Sequence, residues 1–401
     1  MELMMGFRLG SGLVVLGLLS ACQQGPAAAT QPRHDAGAAT SAPAATMAGA
    51  ATTSQATAAK GYSHAAAVKL YRAAKYKQDE AICLGAIAAI ERREGKTSRN
   101  LAEPMDDLAT VYLRLSRFGD AKPWIERAEQ VLDKSKPADA ILLGRLSINK
   151  GWRLYALQEV SAAEKAFEEG KTLLEKYQKG DSLELAEVIN NLGLTYADTD
   201  DPETPASPER VAKAKVMLLK AWQMRRKLAG DNSPECAESL NNIGMHLLDH
   251  AQGDEDMETA LITLKKALQV TEKVYGADNP ETAISHTNLA SALHLTEDEE
   301  GADEHVRQAL AMTEKWLGKD HLDRAYELQL LGELQETDGK LPEAEDSLKE
   351  AVRILEVVFG KDHVNVANGL EALRSLYETM GDEAKEKAVA DRIEKLRGKE
   401  I

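Results

Sequence analysis

The sequence predicts an all-α chain, a solenoid of about eight helical hairpins stacked side by side. Three observations predict it: a glycine stop at a near-constant interval, a ladder of small residues within each unit, and a composition suited to helices. Glycine closes "EKVYG" at Gly276, "EKWLG" at Gly318 and "EVVFG" at Gly360, 42 residues apart in both intervals. "RKLAG" at Gly230 precedes Gly276 by 46. Glycine after a charged helical run is a C-terminal cap. Hydrophobic residues make up 43% of the chain and aromatics only 4%, a balance poor for β-sandwiches and barrels.

The small residues give the finer register. Ala121, Ala163, Ala214, Ala260, Ala302 and Ala344 fall at one position in the second helix of successive units. Seven residues after each comes Ala128, Gly170, Ala221, Ala267, Ala309 or Ala351. Seven residues is about two helical turns, so both positions share a stripe on which a neighbouring helix approaches closely. An acidic, Pro-rich insertion from Asp198 to Pro208 and the stretch "HAQGDEDME" explain the two longer intervals. Both are placed in turns, where insertions leave the stacking intact. Ser233-Pro234-Glu235 and Asn279-Pro280-Glu281 read as helix starts, with a capping side chain, proline at the first position and acid in the first turn.

The pattern "L-G/A-x-x-Y/L … A-x-x-x-F/L-x-x-A", with "NNLG", "NNIG" and "TNLA", resembles the tetratricopeptide repeat (TPR). Its 42-residue period is similar to the long-helix version of kinesin light chains. The resemblance is strong from Asp181 to Gly360, fair over 100–179 and weak over 61–99. It implies a right-handed superhelix spanning 61–401, clearest over 100–397. The polar last helix, "EAKEKAVADRIEKLRGKEI", is expected to form a solvent-facing cap.

The N-terminus reads differently. Leu9 to Leu19 is an apolar run too short to span a bilayer, behind the positive Arg8. Leu19-Ser20-Ala21-Cys22 resembles the bacterial lipobox, which implies a signal peptide over 1–21 and lipid attachment at Cys22. Gln23, rather than aspartate, then favours the outer membrane facing the periplasm. Residues 22–60, rich in Ala, Thr, Ser, Gly and Pro, are expected to form a disordered tether. The expected location is therefore the bacterial cell envelope, lipid-anchored.

Function is read as binding. A formal net charge of -16 argues against nucleic acid, whose phosphates need Lys and Arg. No phosphate loop, nucleophile elbow, CxxC or metal-ligand cluster occurs, so neither enzyme chemistry nor a cofactor, metal or small-molecule substrate is expected. The TPR resemblance implies that the first helix of each hairpin lines a concave groove for a peptide or protein partner. Register places Asn149, Asn191, Asn242 and Asn288 at the position where the family often has asparagine. Asn190 and Asn241 stand beside two of them, with Asp107 and Leu330 at the same register in flanking units. An asparagine amide can bond a ligand backbone or bridge adjacent helices. The alternative is an assembly factor for an envelope machine, acting through convex or lateral surfaces. His246 and His250 are expected to be a surface-exposed, non-ligand pair, and His321 and His363 to cap helices or pack between repeats. Cys83 and Cys236 are expected as separate buried thiols, and Trp124, Trp152, Trp222 and Trp316 as core.

Overall fold

The computed structural model describes residues 62–199 and 205–398. Among these residues sixteen α-helices pair into eight hairpins. They are α1 (His64–Arg72) with α2 (Tyr76–Glu94), α3 (Ala102–Arg114) with α4 (Phe118–Gln130), α5 (Pro137–Ala156) with α6 (Val160–Tyr177), and α7 (Leu183–Ala197) with α8 (Pro208–Ala229). Then follow α9 (Pro234–Asp249) with α10 (Asp254–Tyr275), α11 (Pro280–Leu295) with α12 (Glu299–Trp316), α13 (Leu322–Thr337) with α14 (Leu341–Phe359), and α15 (Val364–Met380) with α16 (Glu383–Arg397). The predicted signal segment, Cys22 and the tether lie outside the described residues.

The glycine stops do what their position demands. Gly230, Gly276, Gly318 and Gly360 have φ of 90°, 89°, 97° and 93°, values that an L side chain rarely adopts. The sharper turn inside six of the eight described hairpins carries a second period. Ala74, Ser116 and Gln158 stand 42 residues apart and all have positive φ; so do Glu297, Gly339 and Gly381. Four of these six are not glycine, so the turn imposes the left-handed conformation whatever residue occupies it.

Each hairpin closes through small residues facing large ones. Ala121, Ala163, Ala214, Ala260, Ala302 and Ala344 are fully buried. A Cβ built on Gly193, Gly244 or Gly332 would lie 2.9, 2.6 or 2.7 Å from a side-chain carbon of Leu218, Leu264 or Leu348. In the sixth hairpin alanine (Ala290) takes the glycine's place and the smaller valine (Val306) the leucine's. The pair keeps its summed volume, which is what dense packing requires.

The first helices of successive hairpins touch one another directly, whereas the second helices pack on them from outside. The odd-numbered helices are thus the inner, concave layer. In α16 the large apolar side chains buried are Ile393 and Leu396, as a capping helix requires. Trp152 is buried as expected, whereas Trp124, Trp222 and Trp316 are half-buried at the edges of the core. Cys83 and Cys236 are separate, buried thiols.

Candidate functional site

The superhelix closes on itself after five hairpins. Helices α1, α3 and α5 end at Arg72, Arg114 and Ala156, and their last carbonyls lack partners within the helix. Each accepts a hydrogen bond from the start of a helix in the next superhelical turn. Asn279 Nδ2 donates to Arg72 O at 3.4 Å, His321 Nε2 to Arg114 O at 2.7 Å, and Asn365 Nδ2 to Ala156 O at 2.9 Å. The first hairpin thereby meets the sixth, the second the seventh and the third the eighth. The negative ends of three helix dipoles face the positive ends of three others, which favours the stacking.

Charge reinforces the contact. Arg114, 1% exposed, places Nε 3.0 Å from Glu281 and Nη1 2.9 Å from Asp323. Arg72 Nη2 lies 3.0 Å from Glu235. Glu235, Glu281, Asp323 and Asn365 all occupy the second position of their helices, so the first-turn acids read as helix-start signals also hold the next turn. His321 serves both layers: its Nδ1 accepts from the Asp323 N–H at 3.1 Å while Nε2 donates to Arg114 O. These bonds require the neutral imidazole, and burial lowers its pKa. His363 caps α15 in the same way, accepting from Asn365 N–H at 3.2 Å. Phe118 stacks on Phe359 at 5.7 Å between centroids.

The asparagine ladder lies inside the concave wall. Asn149, Asn191, Asn242 and Asn288 are all buried. Asn149 Nδ2 donates to Asp106 Oδ1 at 2.6 Å, Asn242 Nδ2 to Asn190 Oδ1 at 3.2 Å, and Asn288 Nδ2 to Asn241 Oδ1 at 3.4 Å. Asn190 donates to Asn191 Oδ1 at 3.1 Å, and Asn241 to Ser285 at 2.8 Å. Each of these bonds except the one within α7 crosses from one inner helix to the next. Asn191 Nδ2 and Asn288 Oδ1 are covered and bond to no described atom. Asp107 is tied to the first hairpin by His64 Nδ1 at 2.7 Å and Tyr62 OH at 2.9 Å.

Around the ladder the inner helices carry carboxyl groups in excess. Glu103, Asp106, Asp107, Glu184, Glu187, Glu235 and Glu238 surround Arg72, Arg145 and Arg225. Arg145 lies 3.6 Å from Glu103 and 4.0 Å from Asp106, and Arg225 lies 3.2 Å from Glu238. Burial pushes Glu187 well above the usual carboxylate range; Glu238 adds to that and Arg225 opposes it. Glu187 Oε1 bonds to no described atom. Asp249 is reachable by solvent, yet burial by the surrounding wall and repulsion from Asp198 push it up to about 7. A wall of this kind favours an incoming positive charge over a negative one. In the sequence Asp107 stands out by register and Glu235 as a helix start, whereas the other acids read singly as solvated helix residues; only the coil gathers them.

Among the described residues, no group of three or more His, Cys, Asp or Glu side chains could hold a metal ion, and no helix is long and apolar enough to cross a membrane. His246 departs from expectation: it is buried, 6% exposed, and packs against His250 at 4.8 Å between ring centroids. Its position faces the groove between α8 and α10 rather than open solvent.

The tetratricopeptide-repeat family model matches residues 249–315 and 289–356. Among curated proteins, none matches the sequence. Solved structures share the fold. The Rap conjugation gene regulator of plasmid pLS20, in complex with the Phr* peptide, aligns with a TM-score of 0.57 at 15% identity, covering 75% of each chain. A Rap protein complexed with competence and sporulation factor gives 0.56 at 14% identity, over 86% of this chain and 98% of that one. Aspartyl phosphate phosphatase F from Bacillus subtilis gives 0.50 at 13% identity, over 80% and 75%. At such identities the likeness is one of fold. The family match over 249–356, the paired helices and the recurring alanine ladder lead to one conclusion: the chain carries tetratricopeptide repeats in that stretch and is wound, over its described residues, as an all-α superhelix like those of its fold relatives.

Proposed function

We propose that this protein is a membrane-anchored adaptor of the bacterial cell envelope that holds a peptide or a segment of a protein partner against its concave wall. The observation that carries the reading is the acidic inner layer: seven carboxyl groups around three arginines, on helices held in a fixed coil by the contact between turns. Such a wall recognises an extended, basic segment by charge complementarity, with the coil pre-organised so that little ordering is needed on binding. One of the fold relatives is a complex with a peptide and another a complex with competence and sporulation factor, which supports a binding role for this fold here. The chain acts on this reading by binding, without catalysis, and takes no nucleic acid. Anchoring rests on the lipobox-like Leu19-Ser20-Ala21-Cys22, with acyl chains on Cys22 holding the chain to the membrane.

The test is crosslinking and capture from native membranes, comparing wild type with Glu103→Gln/Glu184→Gln. Both side chains are partly exposed on the inner face. Loss of one specific partner from a variant with an unchanged melting midpoint supports the reading. Retention of every partner overturns it and favours an assembly role through the outer surface. Cys22→Ser tests the anchor separately: release into the soluble fraction is expected, and retention in the membrane would refute lipid attachment there.

A further inference from the structure

The outer face carries a second feature that the concave-wall reading does not use. Between α8 and α10, with α9 as its floor, runs a cleft of about 310 Å³. Its walls are Leu218, Leu219 and Trp222 of α8, Ile243 and Leu247 of α9, and Thr259 and Thr263 of α10, with Lys215 at its edge. His246 contributes the imidazole, whose Nδ1 is buried and bonds to no described atom. Burial first, then the neighbouring His250 and Lys215, lowers its pKa to about 4, so the ring is neutral near pH 7. A neutral imidazole always has one nitrogen free to accept.

The next repeat along the solenoid carries a ring at the corresponding position. The repeat register maps Leu240 onto His286 and Thr263 onto His305. There the two imidazoles meet at 2.7 Å between Nδ1 atoms, with ring centroids 4.9 Å apart. The second helix thus supplies a planar ring with a polar edge that packs on the first helix at the position of Thr263. In the groove between α8 and α10 the same position holds only the short Thr263.

We propose that this cleft is a docking site for an aromatic side chain with a hydrogen-bond donor, a tyrosine or tryptophan, on a partner polypeptide. Leucine, isoleucine and Trp222 supply the apolar walls for the ring, His246 the acceptor, and Lys215 a cation near its face. A polypeptide fits better than a free small molecule because apolar surface continues beyond the cleft. Val216 and Ile262, 65% and 60% exposed, lie one helical turn from Leu219 and Thr259. An anchor in a central pocket with apolar flanks is the usual form of a strong contact point. The site is independent of the concave wall, so either reading can fail alone.

The experiment uses the protein from residue 22 onward without its lipid. The probes are a capped helical peptide with one central tyrosine flanked by leucines, its phenylalanine twin, and p-cresol. Binding is followed by Trp222 fluorescence and the methyl NMR signals of Leu218, Leu247 and Ile243. Saturable binding of the tyrosine peptide is expected, about tenfold tighter than its phenylalanine twin. His246→Leu removes that difference. Thr263→His, which copies the next repeat's own residue, abolishes binding while the melting midpoint stays or rises. No saturable binding, equal binding of the two peptides, or binding unchanged in Thr263→His overturns the proposal. So does p-cresol binding without peptide binding, which would assign the cleft to small aromatic molecules. Self-association of the wild type that Thr263→His abolishes would assign it to a second copy of this chain.

Discussion

Two kinds of interface hold this molecule together, and they are built from opposite materials. Within each hairpin the contact is apolar and close, with alanine or glycine on one helix receiving leucine or valine from the other. Between superhelical turns it is polar, with arginine, acid, histidine and asparagine at helix ends. The difference follows from what each surface presents. Helix sides offer side chains that bury apolar area, whereas helix ends offer unsatisfied carbonyls and N–H groups. A coil whose turns meet end to end must therefore be sealed by hydrogen bonds and charge.

The sharpest way to break this comparison is at Arg114. Replacing it with alanine leaves Glu281 and Asp323 without their buried cation, and breaking a buried pair costs about 3–5 kcal/mol. We expect a large fall in the urea midpoint and a larger radius of gyration in small-angle scattering, with helix content retained. A radius unchanged from wild type would show that dipoles and backbone bonds hold the turns without charge.

A pH series separates the interfaces next. Burial pushes Asp79 and Glu327 up to about 8 and Glu333 up to about 7. A carboxyl raised in the folded state contributes stability that is complete below its unfolded value of about 4 and is lost as pH rises through 7–8. Burial first, then the partner His305, lowers His286 to about 4; burial also lowers His246 to about 4. Their contribution is complete above about 6.5 and is lost as pH falls through 4. Over about pH 4 to 6.5 the two contributions oppose each other, and above 6.5 only the loss from the carboxyls remains, so thermal midpoints should fall from about pH 6.5 to 8. A curve that keeps rising from pH 6 to pH 9 would contradict these buried carboxyls.

Overpacking the apolar interface has a smaller effect. Ala260→Leu inserts a branched side chain where no exposure remains, at a cost of about 1–3 kcal/mol. It should shift the melting midpoint and leave the turn-to-turn contact in place, as judged by an unchanged radius of gyration. The smallest change is a gain: Gln158 sits at φ 62°, and Gln158→Gly should stabilise by a few tenths to about 1 kcal/mol. A loss of stability would show that the side chain does more than tolerate its turn.

The sequence makes the hairpins legible because repetition samples one local rule eight times. Gly276, Gly318 and Gly360 mark the stops, Ala260, Ala302 and Ala344 mark the packed stripe, and Ser233 and Asn279 mark the starts. Each signal lies within one or two helical turns of what it controls. The candidate wall was less legible. The four asparagines are found by register, but their bonds run to neighbouring inner helices, and the amides sit within the wall behind a rim of carboxyl groups. His246 reads as exposed from its spacing, yet the groove beside α8 buries it.

By itself, then, the sequence determined the all-α class, the hairpin count, the register and the caps, because these depend on backbone conformation and side-chain size over a few residues. Only the tertiary structure decided which hairpins meet across the turns, and so that Arg114 finds Asp323 rather than solvent. That pairing depends on the pitch of the coil, the sum of small rotations at every hairpin boundary. No single residue encodes it.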